Sequence, residues 1–265
     1  ILADKPRDAE ANRIVGEFQC FYKEDWSKGL PMLARDGDTT AEELARKDLA
    51  NPTDAARQAE LGQAWWAFTE KQSDPIVKSA AQRRAQHWLR AALPFLNGAD
   101  ADRVSAQLEV KRGKLRFRPG LVAELFADDN FEKKVKSRLD YKVDYDWGPG
   151  SPDADVPADH FSIRWQGVLI PPRAGKYKLI LRHDDGVRLI LDGKTVIDNW
   201  SGGSEATTAE VLLSSQPHTL QLDFHEVTGT ALVRLQWSLG DGFEKQTIPL
   251  EVLYHETKQE RLLSP

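Results

Sequence analysis

The sequence predicts an α+β protein with segregated domains. An N-terminal helical, repeat-like bundle is expected over residues 1–112, and an antiparallel β-sandwich over residues 119–255. Residues 1–112 are rich in Ala, Glu, Gln, Arg and Leu and contain long stretches without Gly, which favours helices. From about residue 120, short runs of alternating apolar and polar residues are separated by Gly, Pro and Asp turns, which is typical of a sandwich or barrel. A chain of 265 residues with 40% hydrophobic residues can fill both cores.

Capping and breaking residues divide the helical part. Thr39 precedes two glutamates, and Asp54 and Asp74 each precede a helix-favouring run, as N-caps do. The predicted helices span residues 8–22, 26–34, 39–49, 55–71, 74–96 and 101–110. The apolar face of the first helix is expected to carry Ile14, Phe18, Phe21 and Tyr22.

Two of these helices share a pattern of small and aromatic residues. One carries Leu61-Gly62 and the pair Trp65-Trp66, and its neighbour carries several alanines and Trp88. The three tryptophans are expected to lie between packed helices. The pattern resembles a degenerate tetratricopeptide repeat, in which small residues allow two helices to approach closely. The resemblance implies a helical platform that could bind a protein partner.

Residues 111–114, Lys-Arg-Gly-Lys, are expected to form an exposed junction before the β-rich part. Residues 139–145 alternate almost perfectly and predict one half-buried strand. Trp165 and Trp237 are expected to be core residues. The further predicted strands span residues 161–165, 177–181, 187–191, 195–197, 209–213, 218–226, 231–237 and 246–250.

Composition and charge exclude several classes of function. The net charge is −5 and no basic stripe suits a phosphate backbone, so nucleic acid is not an expected partner. No apolar run reaches the roughly 20 residues of a membrane span. Cys20 is the only cysteine and is expected in the core, so neither a disulfide nor a thiolate zinc site can form within the chain. No HExxH pair, GxSxG elbow or phosphate loop occurs, and the protein is not expected to be an enzyme.

One turn carries more charge than a turn requires. Residues 187–191 and 195–197 are joined by Asp192-Gly193, a strong hairpin signal. The turn before this hairpin contains two neighbouring carboxylates, Asp184 and Asp185. An Asp-Asp-Gly turn can also be purely structural, and the turn 198–200, Asp-Asn-Trp, is read as structural with a packed aromatic.

Residues 120–254 resemble the protective-antigen-type domain, a β-sandwich module named after the anthrax toxin component and also found in fungal adhesin lectins. The matching landmarks are GLVAELF from residue 120, HFSIRWQGVLIPPRAGKYKLIL from residue 160, HDDGVRLILDG from residue 183 and LVRLQWS from residue 232. They occur in the family's order over about half the chain.

The resemblance implies a calcium ion bound by Asp184 and Asp185, with a cis peptide between them, and a carbohydrate or glycoconjugate that shares the ion. It places the other ligands on residues 225–230: the Glu226 side chain and the carbonyls of Val227 and Gly229. Glutamate replaces the asparagine of the adhesins, so Glu226 is either a third carboxylate ligand or only a polar loop residue. An extracellular, cell-surface or periplasmic location is implied as well.

The function predicted from the sequence is therefore a non-catalytic, calcium-dependent carbohydrate-binding module on a helical platform. The alternative is a structural or protein-interaction module of a larger exported protein, in which the Asp184–Asp185 turn is scaffold without metal or sugar. The chain begins at Ile1 without a signal-peptide pattern, which suggests a processed product or a fragment.

Overall fold

The computed structural model describes residues 1–2, 4–35, 39–203, 205–239 and 243–263. The chain divides into two units, one ending at Leu108 and the other beginning at Glu109. Helices build the first unit and antiparallel strands build the second. The predicted fold class, α+β with segregated parts, is confirmed. None of the described helices is both long and apolar enough to span a membrane.

Six α-helices lie in the described part of the first unit. They are α1 Ala9–Glu17, α2 Trp26–Leu33, α3 Thr40–Leu49, α4 Ala55–Glu70, α5 Pro75–Ala92 and α6 Gly98–Gln107. A π-helical turn, Phe18–Tyr22, continues α1, and a 3-10 turn, Leu93–Phe95, follows α5. Side chains at the start of the first five helices accept a main-chain N–H of the first turn, as N-caps do: Asp8, Asp25, Thr39, Asp54 and Asp74.

The apolar face predicted for the first helix is wrong. Ile14, Phe18 and Tyr22 are 52%, 47% and 46% exposed, and only Phe21 of the predicted four is buried. The buried side of α1 instead carries small residues. A Cβ added at Gly16 would lie 2.6 Å from a main-chain nitrogen of α2, so a larger side chain does not fit between the two helices. The close approach of the two helices therefore sets the orientation of α1, and the larger apolar side chains turn outward.

A buried aspartate organises the tryptophans of the helical unit. The Asp48 carboxylate accepts hydrogen bonds from the indole nitrogens of Trp65 at 2.8 Å and Trp88 at 3.0 Å, and it pairs with the Arg84 guanidinium. Trp65 and Trp88 are 0% and 3% exposed, whereas Trp66 is half-buried. The carboxylate thus satisfies polar groups that the aromatic core would otherwise leave without partners.

Gly62 is the contact point of α4 and α5. A Cβ at this position would lie 2.8 Å from two side-chain carbons of Leu89. We expect Gly62→Ala to lower the free energy of unfolding of the helical unit by about 1 kcal/mol, because overpacking outweighs the usual gain from replacing a helical glycine by alanine. Denaturant unfolding followed by far-UV circular dichroism measures the change. Gly203→Ala, where no neighbour lies within 4 Å, is the control, and a more stable Gly62→Ala variant would contradict the close contact.

Residues 111–114 are exposed, and they form a β-hairpin that belongs to the second unit, which begins at Glu109. Strand β1, Val110–Arg112, pairs with β2, Leu115–Pro119, and Gly113 turns between them with φ +60°. Phe117 in β2 is 1% exposed. Burial of this aromatic side chain ties the hairpin to the β unit, and α6 correspondingly ends at Gln107 rather than at residue 110.

The described residues of the second unit form fourteen strands in two sheets. Besides β1 and β2, the strands are β3 Leu121–Phe126, β4 Lys134–Asp140, β5 Asp144–Gly148, β6 Phe161–Leu169, β7 Gly175–Asp184, β8 Gly186–Leu191, β9 Lys194–Asn199, β10 Glu205–Leu213, β11 His218–Glu226, β12 Ala231–Leu239, β13 Phe243–Thr247 and β14 Leu253–Glu256. The nine-stranded sheet has the order β1-β2-β14-β6-β11-β8-β9, with β3 pairing β4 and β6. The five-stranded sheet has the order β10-β7-β12-β13, with β5 pairing β12.

Side chains from both sheets form one hydrophobic core. Tyr177, Leu179 and Leu181 alternate inward along β7, as period two requires. Trp165 and Trp237 are both 0% exposed, which confirms the prediction that they are core residues.

The single strand predicted over residues 139–145 is wrong. The structure breaks it into β4, in the nine-stranded sheet, and β5, in the five-stranded sheet. The buried Asp140 carboxylate accepts hydrogen bonds from Arg138 and from the Trp165 indole, and Val143 at the corner is 1% exposed. The alternation of apolar and polar residues continues through the corner, because β4 and β5 are each half-buried in their own sheet. The sequence pattern therefore does not reveal the break between them.

The last predicted strand, residues 246–250, is wrong in its second half. Strand β13 ends at Thr247, and a 3-10 turn, Leu250–Val252, follows. Pro249 lies between them and has no N–H to donate to a neighbouring strand.

Candidate functional site

The Asp184–Asp185 turn lies where the chain passes from one sheet to the other. Strand β7 of the five-stranded sheet ends at Asp184, and β8 of the nine-stranded sheet begins at Gly186. The peptide between the two aspartates is cis. A Cβ at Gly186 would lie 2.1 Å from Nε2 of His225 and 2.3 Å from the carbonyl oxygen of Trp200. Only glycine fits this position, so the packing behind the turn explains the glycine that follows the two aspartates.

Both aspartates bind the loop that follows β11. Oδ2 of Asp185 accepts a hydrogen bond from the main-chain N–H of Val227 at 2.9 Å. Oδ2 of Asp184 accepts one from the hydroxyl of Thr230 at 2.8 Å. The structure therefore brings the two predicted carboxylates to the predicted loop, and each keeps a second oxygen that none of the described hydrogen bonds uses.

Glu226 is the most unusual side chain of the site. It is 0% exposed, and neither carboxylate oxygen has a hydrogen-bond partner among the described residues. Burial, and then the charges of Asp185, Asp184 and Asp159, raise the pKa of Glu226 to about 8. The main-chain N–H of Asp185 approaches this carboxylate without reaching the geometry of a hydrogen bond; it lowers the pKa and is the smallest of these influences. A buried carboxylate without a partner is costly unless a cation or a proton neutralises it.

The other two residues predicted for the site act through the main chain. The carbonyl of Val227 accepts the N–H of His160 at 3.1 Å, so one of its lone pairs is already used. Gly229 has φ +110°, in a region where non-glycine residues are strained, and its N–H donates to Oδ1 of Asp159 at 3.1 Å. The loop is thus held from one side by the aspartates of the turn and from the other by Asp159.

Asp159 and Thr230 are site residues that the sequence reasoning missed. Asp159 is exposed, and it lies two residues before β6. A usable signal existed, because β6 pairs with β11 in a register that places Phe161 opposite Glu226. Pairing the two predicted strands antiparallel puts residues 159–160 beside the loop that begins at residue 227.

The donor set consists of oxygens, which suits calcium better than zinc or copper. No group of three or more His, Cys, Asp or Glu side chains in the described part of the chain has the arrangement of a metal centre. Main-chain carbonyls and other oxygens would have to complete a calcium shell of about 6–8 oxygens. The unpartnered oxygens of Glu226 are the observation that fits a cation here.

The back of the turn is an aromatic stack. The ring of Trp200 lies 4.2 Å from that of His225 with 10° between their planes, and Phe131 and the Arg188 guanidinium are its other neighbours. Nε2 of His225 lies 2.9 Å from the carbonyl oxygen of Trp200. Trp200 is thereby packed among protein groups, and the prediction that it belongs to a structural turn agrees with these contacts.

A second polar cluster closes the connection between β10 and β11. Nδ1 of His218 lies 2.7 Å from Asp192, and Nε2 lies 3.0 Å from the Ser214 hydroxyl, the order of a charge-relay triad. However, the main-chain N–H of Ser214 also donates to Nε2, at 3.1 Å, and that of Gln216 donates to the hydroxyl oxygen. The lone pair of Nε2 that a general base requires already accepts a hydrogen bond from the Ser214 N–H. The cluster therefore stabilises the turn between β10 and β11.

The fold and the site define a two-sheet β-domain with an acidic loop site at the crossing from one sheet to the other. Residues 117–250 match the model of the PA14 domain. The chain therefore belongs to the PA14 domain family.

The β-rich half of the chain is similar to parts of three other proteins. The anti-sigma-I factor RsgI3 of Acetivibrio thermocellus is 31% identical over 137 residues, which are 51% of this chain and 21% of RsgI3. An anti-sigma factor domain-containing protein of known structure is 30% identical with a TM-score of 0.51, over 52% of this chain and 49% of that chain. The chain thus spans about a fifth of RsgI3 and about half of the anti-sigma factor domain-containing protein. A PA14 sugar-binding domain from an RTX adhesin is 18% identical with a TM-score of 0.43, over 52% of this chain and 98% of that chain.

Proposed function

We propose that the β unit is a non-catalytic carbohydrate-binding module that uses calcium at the Asp184–Asp185 turn. The observation that carries the proposal is Glu226, a fully buried carboxylate with two unpartnered oxygens next to two further carboxylates. Such a side chain costs free energy in a scaffold that binds nothing. A divalent cation converts this cost into binding energy, and the resemblance to fungal adhesins supplies the class of ligand.

In this proposal the chain's own residues prepare the cation site. One carboxylate oxygen of Asp184 and one of Asp185 accept hydrogen bonds from the loop after β11. The second oxygen of each would bind the ion. Glu226 would add charge from the buried side, and Gly229 would offer its carbonyl. When bound, calcium would supply open coordination positions for two sugar hydroxyls.

Asp159 makes the site more acidic than a pair of aspartates alone. Its exposed carboxylate binds the N–H of Gly229 and raises the pKa of Glu226 together with the aspartates of the turn. We propose that this extra charge favours tight cation binding and selects neutral or cationic glycans, because an acidic sugar would be repelled.

A second candidate function is a protein-interaction module, and a specific surface favours it. Ile14, Phe18 and Tyr22 form an exposed apolar stripe along α1 and its π-helical continuation. Contiguous exposed apolar side chains often mark interaction sites. In this alternative the helical unit binds a protein and the Asp184–Asp185 turn is scaffold.

A glycan array probed with and without calcium tests the first proposal. We expect binding in about 1 mM calcium that is lost when the chelator EDTA is added, and lost in Asp185→Asn, because the hydroxyls of the sugar need the ion as their anchor. The control is Phe18→Ser, which changes the apolar stripe and should leave glycan binding intact. Glycan binding that survives EDTA, or no binding at any calcium concentration, would contradict the lectin proposal.

A further inference from the structure

His183 is a buried polar side chain at a core position. Along β7 the odd-numbered residues point inward, and His183 follows Tyr177, Leu179 and Leu181 in that row with 1% of its surface exposed. An apolar residue would suit this position by pattern. A buried imidazole there must have its hydrogen bonds satisfied.

Both ring nitrogens of His183 have partners. Nδ1 lies 2.6 Å from the carbonyl oxygen of Asp185. A carbonyl only accepts, so Nδ1 carries the hydrogen. Nε2 lies 3.0 Å from the hydroxyl of Thr207 and 3.4 Å from the amide nitrogen of Asn199. In a neutral ring one nitrogen donates and the other accepts, so these groups donate to Nε2.

This network fixes the turn from inside the sandwich. Thr207 lies on β10 of the five-stranded sheet, and Asn199 ends β9 of the nine-stranded sheet. The imidazole therefore connects both sheets to the main chain of Asp185. The side chain of Asp185 is held from the other direction by Val227. Main chain and side chain of this residue are thus fixed by different parts of the fold.

We propose that His183 is a positioning residue for the cation site: its Nδ1–H holds the carbonyl of Asp185 and so aims the Asp185 carboxylate at the loop after β11. This inference rests on the proposed calcium function. His183 does not bind the ion, because its donor nitrogen is engaged and its ring is buried in the core. Partners of this kind, one shell behind the ligands, typically change metal affinity by roughly 10–100-fold when they are removed.

Calorimetric titration of the apo protein with calcium chloride tests the proposal with three variants. The amide nitrogen of asparagine lies about where Nδ1 does, so His183→Asn keeps the donor to Asp185. His183→Gln reaches the Nε2 position instead, and His183→Leu has no donor. We expect the calcium Kd of His183→Asn to stay within about threefold of the wild type, and that of the other two to rise roughly 10–100-fold.

The melting temperature of each variant in EDTA separates positioning from general destabilisation. A merely structural role predicts that affinity falls in step with stability in all three variants, including His183→Asn. His183→Asn and His183→Gln are both polar, so they remain informative if the leucine variant does not fold. An unchanged Kd in folded His183→Gln would overturn the positioning role while leaving the proposed function intact. A wild-type protein that binds no calcium would overturn the proposed function itself, and this inference with it.

Discussion

Calcium is expected to raise the melting temperature of the β unit, and Asp185→Asn is expected to remove the rise. A ligand that binds only the folded state stabilises it by about 2.7 kcal/mol at a hundredfold excess over Kd. For a domain of this size, each kcal/mol corresponds to roughly 2–4 °C, which gives a rise of about 5–10 °C. Asparagine keeps an oxygen that can accept the N–H of Val227, so the variant removes charge and leaves the loop contact. Differential scanning calorimetry with calcium and with EDTA measures both values.

Asp155→Asn is the matched control for this prediction. Asp155 is an exposed carboxylate of the same unit, and it pairs with Lys136 on β4 instead of with a residue of the turn or of the loop after β11. Its replacement should leave the calcium-dependent rise unchanged. Equal melting temperatures of the wild type in 10 mM calcium and in EDTA would instead mean that the turn is scaffold, as the protein-interaction alternative holds.

The fold class followed from the sequence because the two parts obey different periodicities. Helix starts were accurate where a side chain caps the first turn, as at Thr39, Asp54 and Asp74. The core tryptophans of the β unit were accessible for a similar reason, since Trp165 and Trp237 lie on strands with regular alternation. Helix capping and strand alternation are local patterns, and they predict the structure correctly where local interactions determine it.

Local sequence patterns do not predict the structure where a long-range contact determines it. The orientation of α1 depends on how closely Gly16 approaches the main chain of α2, and no local pattern records that distance. The corner between β4 and β5 depends on Asp140, whose partner Trp165 is 25 residues away. Apolar periodicity predicts which residues can be buried, but the neighbouring element determines which of them are.

The candidate site was predictable in part for the same reason. Two adjacent carboxylates before a glycine are visible in the sequence, as is the loop after β11. The complete burial of Glu226 was not visible, because the residue sits at the end of a strand where a polar side chain normally reaches solvent. Asp159 was missed because its place in the site follows from the pairing of β6 with β11.

Glu226→Gln is expected to change stability in opposite directions with and without calcium. In EDTA the variant should be more stable than the wild type by roughly 1–3 kcal/mol, because it removes a buried carboxylate without a hydrogen-bond partner from the neighbourhood of two others. In calcium the variant should be less stable than the wild type, because the cation loses a negatively charged ligand. Melting temperatures of both proteins in EDTA and in 10 mM calcium, at one pH, give the four values needed.

Glu124→Gln is the control for this reversal, between EDTA and calcium, in the stability difference from the wild type. Glu124 is a half-buried glutamate of the same unit, and its carboxylate is neutralised by Lys134 at 2.6 Å. Removing a paired charge of this kind should lower stability slightly and equally in both buffers. A Glu226→Gln variant that behaves like Glu124→Gln, with the same small loss in EDTA and in calcium, would mean that the buried carboxylate finds its partner within the protein and that no cation is needed to explain it. A stability gain in EDTA without a loss in calcium would identify Glu226 as a source of electrostatic repulsion that the ion does not contact, and would restrict the calcium ligands to Asp184, Asp185 and the carbonyls of the loop.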